Sequence, residues 1–264
     1  IRRENGTDYM RCIRKTVIIF CAEVAFINAA HAQLKINEVY YDVNGSQSAN
    51  QFVELYNPGP STVFLDGLIL TDEAGSGVEG VFQFPGSGTT YPVLAGEFVV
   101  IATDADGTDG TAPDLSTADW ECYEGGGDYD NPSVSNLTLV GGSPDLVLST
   151  AGDNVILANG TDTSAPIATN TIIDGMNFEN GSGELANLSA TASDSDASVY
   201  APTGYSLNRC TDGDDGNVSS TADFTVHPFS PGATNNCGYV IPFVSVTDAT
   251  HLEGTAGGAW RGWF

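Results

Sequence analysis

Residues 34–71 constrain this chain more than any other stretch, because their apolar residues recur with a period of two rather than 3.6. In the run from Leu34 to Tyr40, alternation places Leu34, Ile36, Glu38 and Tyr40 on one face and Lys35, Asn37 and Val39 on the other. Phe52-Val53-Glu54-Leu55-Tyr56 has the same β-rich grammar, and Asn57-Pro58-Gly59-Pro60 then forces a turn. Proline removes a ladder N–H there, and glycine supplies an open backbone. Val63-Phe64-Leu65 and Leu68-Ile69-Leu70 read as one further strand bent at Asp66-Gly67.

The rest of the chain keeps this character. Short β-rich runs occupy 81–84, 97–102, 136–140, 146–149, 154–158, 171–175, 224–227 and 239–246, nearly all bounded by turn residues. Two polar insertions, 103–132 and 177–202, predict long surface loops. The expected fold is all-β, an antiparallel sandwich with long acidic surface loops.

Charge divides the chain. Of eight Lys and Arg residues, Arg2, Arg3, Arg11, Arg14 and Lys15 precede Thr16. Met10 opens a basic segment, Thr16–Ala30 is mostly apolar apart from Glu23, and Ala30-His31-Ala32 has the form of a leader cleavage site. Residues 1–32 therefore read as upstream sequence plus a secretory signal peptide. The mature chain then starts at Gln33, is exported to the extracellular space or cell surface, and is not inserted in a membrane after leader cleavage. Its sandwich domain is expected over 33–237, with a C-terminal extension over 238–264.

Of the 34 carboxylates, Glu4, Asp8 and Glu23 precede residue 33, so 31 remain against Lys35, Arg209 and Arg261. Such a surface repels nucleic acid and anionic membranes and favours solubility.

Chemistry is sparse in the sequence. It has no G-x-S-x-G elbow and no phosphate loop with its lysine. His227 and His251 are the imidazoles after residue 32, and His227 in Val226-His227-Pro228 reads as structural. No catalytic residue and no required cofactor are expected. Structural Ca²⁺ is the one ion the sequence suggests, because hard oxygen donors crowd two glycine turns. The candidates are Asp104, Asp106 and Asp109 in one turn, and Asp212, Asp214 and Asp215 in the other. Export favours disulfides. Cys210 and Cys237 flank a turn-rich segment and are the expected pair, leaving Cys122 buried, free or bonded to another subunit. Sequons at Asn44, Asn136, Asn159, Asn180, Asn187 and Asn217 are candidate glycan acceptors.

Several pieces together carry a family resemblance. They are Ile36-Asn37-Glu38-Val39, Phe52–Gly59, Val63–Asp72, Leu94–Ile101, Leu148–Leu157 and Ile172–Gly175, then Ser206-Leu207-Asn208-Arg209, Asp223-Phe224 and Ser230–Asn235. In this order they resemble the lamin-tail domain family in its bacterial secreted form. The resemblance implies an immunoglobulin-like sandwich and a binding or scaffolding role without catalysis.

Past those motifs, Tyr239, Val240, Ile241, Phe243, Val244 and Val246 form an apolar strand pattern interrupted by Pro242. It admits three readings: an edge strand, the opening of a further domain, or a strand donated to a neighbouring subunit. The functional expectation is a secreted structural or adhesive protein assembling into a fibre by strand addition, with itself or cell-surface and matrix components as partners. The alternative is a monomeric module that binds carbohydrate or protein.

Overall fold

Two β-sheets face each other across an apolar core and carry the residues of interest at one end. The structure is a computed structural model that describes residues 34–45, 50–72, 80–105, 113–122, 131–142, 146, 148–163, 169–179, 199–216, 223–235 and 237–238. All of them fall within one chain unit, His31–Phe264.

The strands are β1 (Lys35–Tyr40), β2 (Phe52–Tyr56), β3 (Val63–Phe64), β4 (Leu68–Thr71), β5 (Val81–Gln83), β6 (Pro92–Val93) and β7 (Phe98–Ala102), followed by β8 (Trp120–Glu121), β9 (Ser135–Asn136), β10 (Thr138–Gly141), β11 (Asp153–Asn159), β12 (Thr171–Phe178), β13 (Ser206–Arg209) and β14 (Phe224–His227). One sheet runs β14-β13-β1-β2-β7-β8-β9 and the other β10-β5-β4-β11-β12, while β3 and β6 form a separate ribbon. The fold is an all-β sandwich, and its long ladders are antiparallel.

Alternation explains which side chains meet. Val39, Val53, Leu55, Val99, Ile101 and Leu207 of the first sheet share one buried cluster with Leu70, Phe82, Val155, Leu157, Met176 and Phe178 of the second. The opposite face of the first sheet carries Tyr40, Phe52, Val100 and Ala102, packed with Leu115, Val134 and Phe229.

Four expectations need correction. In β1 strict alternation fails, because the register with β2 shifts between Ile36 and Glu38. That bulge lets Ile36 and Val39 both enter the inter-sheet core, which a period of two forbids. The segment 63–70 is not one bent strand. Gly67 takes φ +74°, and β3 pairs with β6 while β4 joins the second sheet. The stretch 103–132 is not wholly a surface loop, since Leu115, Trp120 and Cys122 are buried and β8 pairs in parallel with β7. Finally, Leu148 is no strand residue. The Gln51 amide brackets it instead, donating to Leu148 O (2.6 Å) and accepting from Leu148 N (2.8 Å), which satisfies a buried backbone as a strand would.

The turn after β2 forms as expected. The buried Asn57 side chain donates to Ser61 O (2.9 Å) and Val93 O (2.8 Å) and accepts from Gly59 N (2.9 Å). Gly59 sits at φ +74°, and a Cβ there would lie 2.9 Å from that of Ala95.

An ionic clip joins the sheets at one end. Asp174 of β12 accepts from Ile36 N of β1 at 2.7 Å, and Arg209 of β13 lies 3.4 Å away. Arg209 is fully buried, donates to Ile36 O (2.8 Å) and Asp214 O (2.9 Å), and stacks on Phe224 at 4.5 Å. Asp215 and Asp223 each lie 3.6 Å from the same guanidinium, and Lys35 pairs with Asp215. Burial lifts the Asp174 carboxyl above its ordinary value, and Arg209 and Lys35 pull it back.

Removing one partner strands the others in a dry site. Arg209→Met is expected to cost about 3–5 kcal/mol in denaturant unfolding, with part recovered by adding Asp174→Asn. A loss below about 1 kcal/mol would contradict the clip's role.

Candidate functional site

The outer face of the first sheet bears two carboxyls side by side. Glu38 and Glu54 are cross-strand neighbours in the β1–β2 ladder, and both are fully buried. Like charges placed opposite one another repel. The C-terminal segment roofs them and supplies donors. Ser230 N donates to Glu38 Oε1 at 3.0 Å, Ser206 Oγ also donates to Glu38, and Gly232 N donates to Glu54 Oε2 at 2.7 Å. Gly232 has φ +76°, a turn that L side chains rarely adopt. Asn37, placed by the bulge, donates to Glu54 Oε1 at 2.9 Å and to Asp212 Oδ1 at 3.1 Å, and accepts from Gly213 N at 2.8 Å. Asn235 completes the roof by donating to Asn37 O (3.2 Å) and Arg209 O (2.8 Å). Phe229 packs on Tyr40 with ring centroids 5.1 Å apart.

Burial dominates the acid–base behaviour of this pair. It raises Glu38 to about 7, with hydrogen bonds from Ser206 and Ser230 opposing the rise. It raises Glu54 to about 8, opposed by Asn37 and reinforced by the Glu38 charge. The pair is structural, since its oxygens are occupied by the roof and both groups are closed to solvent.

A second cluster lies at the edge of the roof. Cys210 follows β13, His227 ends β14 and Cys237 follows the roof; their Sγ, ring nitrogen and Sγ atoms lie within 4.8 Å of one another. Cys210 Sγ is 3.1 Å from His227 Nε2 and 2.6 Å from Thr225 Oγ1. The cysteines expected to pair are therefore neighbours, but both are free thiols here. Cys210 also engages His227 and Thr225. Asn235 sets where Cys237 arrives, its backbone O accepting from Cys237 N at 2.8 Å. Burial, the neighbouring Cys210, Asp212 and Glu38 push the Cys237 thiol up to about 12. Cys122 is a buried free thiol, raised well above its usual value by burial. Such a thiol is chemically inert.

The two calcium candidates fare differently. Asp212 accepts from Asn37 and from Asn235 N (3.1 Å), and Asp215 pairs with Lys35 and Arg209, while Asp214 is exposed. Cations of the protein thus already pair with Asp215. In the other turn Asp104 is buried, and Asp106 and Asp109 lie outside the described residues. Asn44, Asn136 and Asn159 are exposed, whereas Asn180, Asn187 and Asn217 lie outside. So do residues 1–33, His251 and Tyr239, Val240, Ile241, Phe243, Val244 and Val246.

The residues at this site are the motif residues of the resemblance, brought together from both ends of the chain. A family model described as Lamin Tail Domain matches residues 28–214. The chain belongs to the lamin tail domain family. Its sandwich is thus the immunoglobulin-like fold of that family, and Asn37, Glu38, Glu54 and Arg209 lie within the matched region. A crystal structure of a DUF4876 family protein from Bacteroides thetaiotaomicron is similar to this lamin tail domain, with a TM-score of 0.56 and 17% identity over 74% of this chain and 70% of that one. That likeness shows the fold alone. No curated protein matches the sequence.

The sign of the pH dependence follows from the raised acids. The folded state holds protons on Glu38 and Glu54 that the unfolded chain, at about 4.5, has released. Stability therefore falls as pH rises from about 4.5 to about 8 and levels off above. Chemical denaturation near about pH 5 and about pH 8.5 should differ by on the order of 3 kcal/mol, once the pair is allowed to share a proton. Glu54→Gln should flatten most of that slope. An unchanged slope in the variant, or a stability that rises with pH, would contradict the assignment.

Proposed function

We propose that this lamin tail domain protein is an exported, non-enzymatic structural or attachment module that joins copies of itself by strand addition. The observation that carries the reading is where the roof delivers the chain. Asn235 is bonded to Asn37 and Arg209, so residues 237–238 emerge beside β13 and β14. Among the described residues β14 pairs on one side only, with β13. An edge strand offers a row of backbone donors and acceptors, and the apolar pattern of 239–246 follows the roof directly. A strand donated from one copy to the next makes a heterologous contact, which propagates as a fibre rather than closing as a dimer. On this reading the exposed Asn44, Asn136 and Asn159 are glycan acceptors, and the 104–109 turn is the calcium candidate.

A second reading has one observation in its favour. A groove of about 760 Å³ lies between β6, β7 and the segment 114–120, lined by Tyr91, Phe98, Asp119, Trp120 and Gly232 among others. Aromatic faces beside a carboxylate suit a carbohydrate or peptide, which is the chemistry of a monomeric binding module.

Deleting residues 239–264 separates the two. Under the assembly reading the full chain forms oligomers or filaments, seen by sedimentation and electron microscopy. The truncated chain remains monomeric with its cooperative unfolding intact. Assembly that survives the deletion, or a full-length chain that stays monomeric, would overturn it.

A further inference from the structure

We propose that Cys210, His227 and Cys237 form a binding site for a borderline-soft divalent cation of the zinc class. The donors come from three segments held independently. The β13–β14 ladder pairs Ser206 with His227 and Asn208 with Thr225, which places Thr225 and His227 on the outer face. Cys210 follows β13 directly after Arg209, whose guanidinium is buried in the clip. Cys237 is brought in by the roof through Asn235. Two thiols and one imidazole thus converge, and their donor atoms lie within 4.8 Å of one another.

That spacing suits tetrahedral coordination. Bonds of about 2.3 Å to sulfur and about 2.0 Å to nitrogen set donors roughly 3.5–3.8 Å apart. The 3.1 Å separation of Cys210 Sγ and His227 Nε2 needs only a small widening. Cys210 is exposed, so solvent reaches the cluster and supplies the fourth ligand. Thiolate and imidazole select zinc-like ions over calcium or magnesium, which prefer oxygen. Binding releases one proton from each thiol and needs no oxidant.

The test uses Co²⁺ as the probe on the full chain, purified with its thiols reduced. The wild type is expected to take up one Co²⁺ with thiolate-to-cobalt charge-transfer absorption, displaced by Zn²⁺. Cys237→Ser and, separately, Cys210→Ser should weaken that binding by at least the roughly 100-fold that loss of a supporting group costs. Their metal-free unfolding transitions check that each variant folds. Absence of charge-transfer absorption in the wild type would overturn the proposal, as would equal Co²⁺ uptake by a folded serine variant. Protein isolated from its native source without reductant, carrying a Cys210–Cys237 disulfide and no zinc, would overturn it too.

Discussion

Asp174 is a carboxylate between two sheets with no route to water, and much of the sandwich is arranged around that constraint. Its oxygens take the N–H of Ile36 and face Arg209 and Lys35, so one side chain of the second sheet grips two strands of the first. Arg209 in turn fixes the turn after β13 through Asp214 O and Asp215. An unpaired charge at this depth would take a large share of a typical domain's margin of stability. This explains the disposition of the cations: Lys35 and Arg209, two of the three after residue 32, are both spent inside the fold.

The outer face of the first sheet solves a similar problem without cations. Glu38 and Glu54 lie opposite one another, and the roof over 229–235 answers them with backbone and serine donors. Desolvation raises both acids, and the pair joins strands β1 and β2 to the C-terminal segment through the hydrogen bonds its oxygens accept. The roof also determines where the chain leaves the fold. The proposed strand donation and the proposed metal site both depend on that exit, though each can fail without the other.

Much of the framework was legible in the sequence. Period-two patterning places β2 and β14 to the residue and β1 and β7 to within one, because a half-buried strand writes its burial into local order. The motif fragments also pointed to the right family. What local order does not encode is which face a residue takes after a bulge, so Asn37 was assigned opposite Glu38 although it contacts the partner of Glu38, Glu54. Nor does it reveal contacts between distant segments. Asn235 meets Asn37 across 198 residues, and Arg209 meets Asp174 between sheets. The motif residues looked like separate weak signals because their reason for being charged or polar lies in each other. The acidic turn at 212–215 is a further case: its spacing suggests an external cation, and the fold pairs Asp215 with Arg209 and Lys35. His227 read as an isolated structural residue because its neighbours, Cys210 and Cys237, lie 17 and 10 positions away.

Native-state hydrogen exchange tests the central claim most directly, which is that buried carboxyls lock the sheets and the roof into one cooperative unit. The amides of Ile36, Ser230 and Gly232, bonded to Asp174, Glu38 and Glu54, should exchange only through global unfolding, with the same denaturant dependence as core amides of β2 and β11. Exchange of Ser230 and Gly232 through a separate low-energy opening, while the core stays protected, would contradict it.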